Sequence, residues 1–105
     1  MMNKSDKIKL PKELTQNGFH PSDKTVDLID DTKLGHIINF IKLNFHKTKY
    51  ISKKQTSYAL KHLVERDIGV KISNGELIAS MIRCGYKHKR DGINCFFNVR
   101  LRCIY

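Results

Sequence analysis

Lys47, Lys49, Lys53 and Lys54 crowd one short stretch of this 105-residue chain, and Lys87, Lys89, Arg90, Arg100 and Arg102 crowd another near its end. Such groups neutralise phosphates, the ammonium as a point charge and the guanidinium as a bidentate fork. The formal net charge is +10, unevenly placed. Residues 1–31 hold five Lys against six acids, whereas residues 32–105 hold fifteen Lys and Arg against Glu65, Asp67, Glu76 and Asp91, a net of +11. A charge run is commonly only a solvated face, but two clusters with distant acids exceed what solubility requires. Such a field draws polyanions, so nucleic acid is the first partner expected and an acidic protein surface the second.

Other chemistries are less well supplied. Cys84, His88, Cys95 and Cys103 are four potential zinc ligands, but Cys95 and Cys103 stand eight residues apart on one expected strand, about 26 Å at ~3.3 Å per residue. Zn–S bonds of ~2.3 Å do not join them, so no metal or cofactor is expected. The odd cysteine count implies thiols rather than a disulfide framework. His20, His36, His46, His62 and His88 lack a paired carboxylate, a Gly-rich phosphate loop or a nucleophile motif, and His62 with Glu65 has the spacing of a surface pair on a helix. No enzyme is expected. There is no apolar run of the ~18 residues a membrane span requires, and Met1 to Asp6 lack the apolar region of a signal peptide, so the chain reads as cytoplasmic with no membrane partner.

The elements that must position the basic residues follow from periodicity and capping. Residues 1–31, with Pro11, Gly18 and Pro21, read as an irregular, partly ordered arm with at most a short helix over 11–17. Its acidic cluster, Val26 to Asp31, is expected to support the following helix electrostatically, with a DNA-mimicking or partner-binding segment as the sharper alternative. Leu34, Ile37, Ile38, Ile41 and Phe45 share one face of a first helix, which Asp31 or Thr32 can cap. Phe40 and Leu43 on its other side await either an interface or cover by the arm. Residues 48–51 suffice for a short strand.

Two capping boxes then stand 21 residues apart, Ser52 with Gln55 and Ser73 with Glu76. They predict a second helix over about 53–66, with Ala59, Leu60, Leu63 and Val64 inward, and a third over 74–84 that Gly85 closes. Ile72 and Leu77 form a hydrophobic staple at the third. Its buried stripe is Leu77, Ile78, Met81 and Ile82, which leaves Gly75, Glu76, Ala79, Ser80 and Arg83 for an exposed face. Strands over 86–90 and 94–104 flank Asp91-Gly92, a dipeptide suited to a type I′ hairpin turn. Cys95, Phe97, Val99, Leu101 and Cys103 would face inward, and Asn98, Arg100 and Arg102 outward.

Helix, short strand, helix, helix, strand, basic turn, strand is the order of winged helix-turn-helix domains, which the chain resembles over roughly residues 33–104. The resemblance implies an α+β fold of three helices and a C-terminal β-hairpin wing, with domain limits 32–105 behind an arm of 1–31. It also implies a third helix in the major groove and a wing on the adjacent backbone or minor groove. Carried onto this sequence, the third helix offers Asn74, Ser80 and Arg83, and the wing offers Lys87, His88, Lys89 and Arg90. Lys53, Lys54, Arg100 and Arg102 complete the expected nucleic-acid contacts. Two features depart from the pattern: the link over 67–72 is longer than a tight helix-turn-helix turn, and Glu76 lies on the expected reading face. A third helix that is simply part of the core, with only the wing and the Lys-rich segment touching nucleic acid, is the alternative.

Ser57-Tyr58-Ala59-Leu60-Lys61-His62 with Glu65, Ser73 to Glu76, Gly85-Tyr86-Lys87 and Asn94 to Asn98 also resemble small uncharacterised proteins of phages and other bacterial mobile elements. The resemblance implies that setting without an activity. Two functions are therefore expected: a DNA-binding protein, duplex favoured and a homodimer possible, for transcriptional regulation or replication and excision; or an interaction protein that inhibits a host nucleic-acid enzyme.

Overall fold

The structure is a computed structural model that describes Leu14, Thr15, Gly18 and Phe19 together with residues 31–101. Among these the order is α1 (Asp31–Asn44), β1 (Phe45–Ser52), α2 (Ser57–Ile68), α3 (Asn74–Arg83), β2 (His88–Asp91) and β3 (Asn94–Leu101). The result is an α+β architecture of three helices and an antiparallel sheet in the order β1-β3-β2. The acidic cluster up to Asp30, Arg102 and Cys103 lie outside the described residues.

Asn44 ends α1 by donating its side-chain amide to the Phe40 carbonyl at 3.0 Å. Phe45 thus opens β1 instead of closing the helix, and the expected four-residue strand doubles in length. Phe45 fits the helical period, but it also begins the core-facing phase of a strand, opposite Leu101. The turn brings it edge-on against Phe40, ring centroids 5.7 Å apart, so Phe40 joins the core while Leu43 stays exposed.

The first capping box does not form. Ser52 is paired with Phe97 in the sheet, and its hydroxyl accepts from Lys54 N–H in a local turn, a competition open to any Ser near a helix start. Thr56 caps α2 instead, accepting from Ala59 N–H, so the helix begins four residues later than expected. The inward stripe also rotates: Ser57, Leu60, Lys61 and Val64 are buried, and Ala59 is exposed. Ser57 accepts from Cys95 N–H at 3.0 Å, which satisfies the edge of β3 beyond the end of β1.

The second box forms in full. Ser73 Oγ accepts from Glu76 N–H and Glu76 Oε1 accepts from Ser73 N–H at 2.8 Å. The far end closes as a Schellman motif, Gly85 N–H donating to Ile82 and Tyr86 N–H to Met81. The hairpin turn lies one residue beyond its expected place. Asp91 pairs with Asn94, so Gly92 and Ile93 are the central residues, and only Gly92 has positive φ. That is the signature of a type II′ turn rather than type I′.

Two polar side chains hold the connections. Asn98, in the middle of β3, donates to the Thr48 carbonyl at 2.8 Å and accepts from Lys87 N–H at 2.7 Å. It thereby clasps both neighbours of the central strand where the β1 register shifts between Lys47 and Ser52. Glu65 orders the long α2–α3 link: its carboxylate accepts from Ile72 N–H at 2.8 Å and from Lys61 at 3.3 Å, with His62 3.5 Å away. Burial pushes its pKa up, but the Ile72 hydrogen bond and the neighbouring Lys61 and His62 outweigh that and leave it lowered.

Of residues 1–30 four are described, and all four are buried; Asp31, the last residue of the expected arm, already belongs to α1. Thr15 and Gly18 exchange backbone hydrogen bonds across a tight turn, so the helix expected over 11–17 does not extend through Thr15. Phe19 N–H donates to the Ile93 carbonyl at 2.9 Å, and Leu14 and Phe19 enter the core. Gly18 has φ +96°, and a Cβ there would strike the Ile93 carbonyl.

Asn98→Ala, which removes two hydrogen bonds to a part-buried carbonyl and N–H, is expected to lower unfolding free energy by about 1–2 kcal/mol in urea denaturation. Glu65 contributes most above the ordinary carboxyl pKa, because its folded-state pKa lies below the unfolded one; the contribution disappears as pH falls through the folded value. Glu65→Gln should therefore cost about 1–2 kcal/mol near neutrality, and the gap from the parent should close on acidification below about pH 4.5.

Candidate nucleic-acid interface

Every residue of α3 from Asn74 to Ile82 is buried. The small, polar face expected to be open is enclosed between α1, α2 and the hairpin, and its polar groups bond inside the protein. Ser80, wholly buried, donates to the Glu76 carbonyl at 2.8 Å. Asn74, 6 % exposed, donates to Asn94 Oδ1 at 2.8 Å and lies 3.4 Å from the Ile93 carbonyl, which ties the start of α3 to the hairpin tip. Glu76 completes its cap and receives Lys33 from α1 at 3.0 Å. Arg83 alone of the expected reading residues reaches the surface in part; its Nε is enclosed without a hydrogen-bond partner among the described residues. Small residues allow close approach, and here what approaches is the protein itself.

The wing residues divide between the two faces of the sheet. Directly opposed residues of antiparallel strands share a face. His88 lies opposite Phe97 and Arg90 opposite Cys95, on the core side; Lys89 lies opposite Phe96, on the other. On the core side Phe19 stacks on the His88 ring at 6.3 Å, and the Arg90 guanidinium carbon sits 4.2 Å from the Phe19 centroid. Burial, then the Arg90 charge, lowers the His88 pKa, so a neutral ring is favoured there. Lys87 is exposed beside the Asn98 clasp.

On the opposite side Lys89 and Arg100 are exposed, and Arg100 is paired with His46 of β1. A groove of about 370 Å³ opens beside Arg100, lined by Thr48, Ser52, Lys54, Gln55, Arg100, Val99 and Leu101. Two cationic groups from segments 46 residues apart in sequence thus border one recess with the Ser52 hydroxyl and the Gln55 amide, a donor set suited to phosphodiester oxygens, while the Thr48 hydroxyl donates to the Tyr50 carbonyl at 2.8 Å. Lys53 and Lys54 are exposed in the loop before α2, because α2 starts late. Lys47 leaves this group: its ammonium lies 5.5 Å from the Tyr86 centroid, on the strand phase that faces Val99.

Among the described residues no group of three or more His, Cys, Asp or Glu is placed to hold a metal ion, and no helix is long and apolar enough to cross a membrane. Comparison with protein-family models, curated proteins and solved structures gives no match for this chain.

Cys95 is wholly buried, and burial pushes its thiol up to about 12 despite Arg90; burial also raises the Cys84 thiol, with Lys42 and Lys47 opposing it, but Cys84 is partly exposed. In a Cys103→Ser background, iodoacetamide at about pH 8 is expected to label Cys84 first and to reach Cys95 only on unfolding, as read by peptide mass spectrometry.

Proposed function

We propose that this chain is a DNA-binding protein with a winged-helix-like layout that grips the phosphate backbone through the outer side of its sheet and the loop before α2. The element order, the β1-β3-β2 sheet and the basic hairpin support that layout. The observation that carries the binding mode is the groove where Lys54 and Arg100 meet Thr48, Ser52 and Gln55. Phosphate contacts position a protein without reporting sequence, and the helix that would have read base edges is enclosed. A replication or excision accessory of a phage or other mobile element, working in the cytoplasm, therefore suits the geometry better than a repressor that selects an operator.

Fluorescence-anisotropy titration of a labelled DNA across salt concentrations tests this. With about five phosphates neutralised, log K should fall against log salt with a slope of about −4 to −5, and Lys54→Ala with Arg100→Ala should reduce the slope by about two. A flat salt response rejects the proposal. A stoichiometric complex with a host protein that withstands both substitutions would instead favour the inhibitor of a host nucleic-acid enzyme.

A further inference from the structure

We infer that the outer side of the sheet is a stacking platform for unpaired bases, so that the ligand preferred by the cationic surface is a single-stranded nucleic acid; this rests on the phosphate-binding reading above. Cys95, Phe97 and Val99 point to the core, so Phe96, Asn98 and Arg100 alternate to the opposite side. Asn98 is consumed by its clasp on Thr48 and Lys87. What remains is the Phe96 ring, only partly buried, with Lys89 directly across and Arg100 four residues along, about 13 Å away at ~3.3 Å per residue. That distance admits a base on the ring with phosphates on the flanking cations.

The irregular stretch of β1 carries a second exposed ring, two residues from Thr48 of the groove. Tyr50 is 74 % exposed within the irregular stretch between Lys47 and Ser52, and Lys49 Nζ lies 5.6 Å from its centroid. Bulges re-aim side chains, and this one spends a large aromatic on solvent beside Thr48, which lines the cationic groove. Aromatic rings interleaved with Lys and Arg on an antiparallel sheet fit a strand whose bases are free to stack. Paired bases in a duplex already have both faces covered, and the helix that could enter a major groove is enclosed.

The test measures affinity for a thymidine 20-mer and for a mixed-sequence 20-base-pair duplex at two salt concentrations, with circular dichroism as the check on folding. The parent protein should bind the single strand more tightly. Tyr50→Ala and Phe96→Leu should each weaken single-strand binding roughly tenfold while leaving duplex affinity and the salt slope unchanged, and Tyr50→Phe should restore the parent value. Because Tyr50 is so exposed, its variants remain informative should Phe96→Leu fold poorly. Equal binding of both ligands, or ring substitutions without effect, overturns the platform; a steep salt dependence in that result leaves the phosphate grip standing. Absence of salt-sensitive binding to either ligand removes both.

Discussion

A ten-residue helix with no exposed residue between Asn74 and Ile82 must satisfy every polar group it carries from within the protein. That constraint organises the surrounding contacts. Glu76 serves its own cap and receives Lys33, which joins α1 to α3; Ser80 turns back on the Glu76 carbonyl; Asn74 reaches Asn94 on the hairpin. The apolar stripe of Leu77, Ile78, Met81 and Ile82 supplies burial, while these polar contacts fix where the helix sits within it. The Schellman closure at Gly85 then delivers the chain to the hairpin with few free torsions.

With α3 inside, charge is displaced to the periphery and sorted by strand parity. On one face of the hairpin His88 and Arg90 pack against Phe19, although the Arg90 side chain stays exposed. The other keeps Lys89 and Arg100 in solvent. A run that looks like one basic turn in sequence is two groups of side chains on opposite sides of a sheet.

The capping box at Ser73, the Gly85 closure and the inward alternation of β3 were legible because each depends on residues close together in the chain. The failures have a shared cause as well. Ser52-x-x-Gln55 satisfies the local rule for a helix start, but Ser52 is claimed by Phe97, 45 positions away, and Thr56 takes the cap. Ser57 does not read as a core position because its hydroxyl is answered by Cys95 N–H, 38 positions away. The open face assigned to α3 followed from helical period alone, which counts apolar residues and does not say how many sides are covered. Lys54 and Arg100 were visible as charges, whereas the groove they share depends on β1 lying beside β3. Phe96 and Tyr50 were overlooked because an aromatic in a strand is ordinarily assigned to the core, and strand parity together with the shift in β1 decides otherwise.

The hairpin tip is held from two directions, by Phe19 N–H on the Ile93 carbonyl and by Asn74 on Asn94. A freely waving loop would lose conformational entropy each time a ligand ordered it, and that loss would be subtracted from every contact made. Here folding has already met that cost. The tip is therefore preorganised, and any ligand of the proposed basic surface would meet a backbone that has no further ordering to undergo.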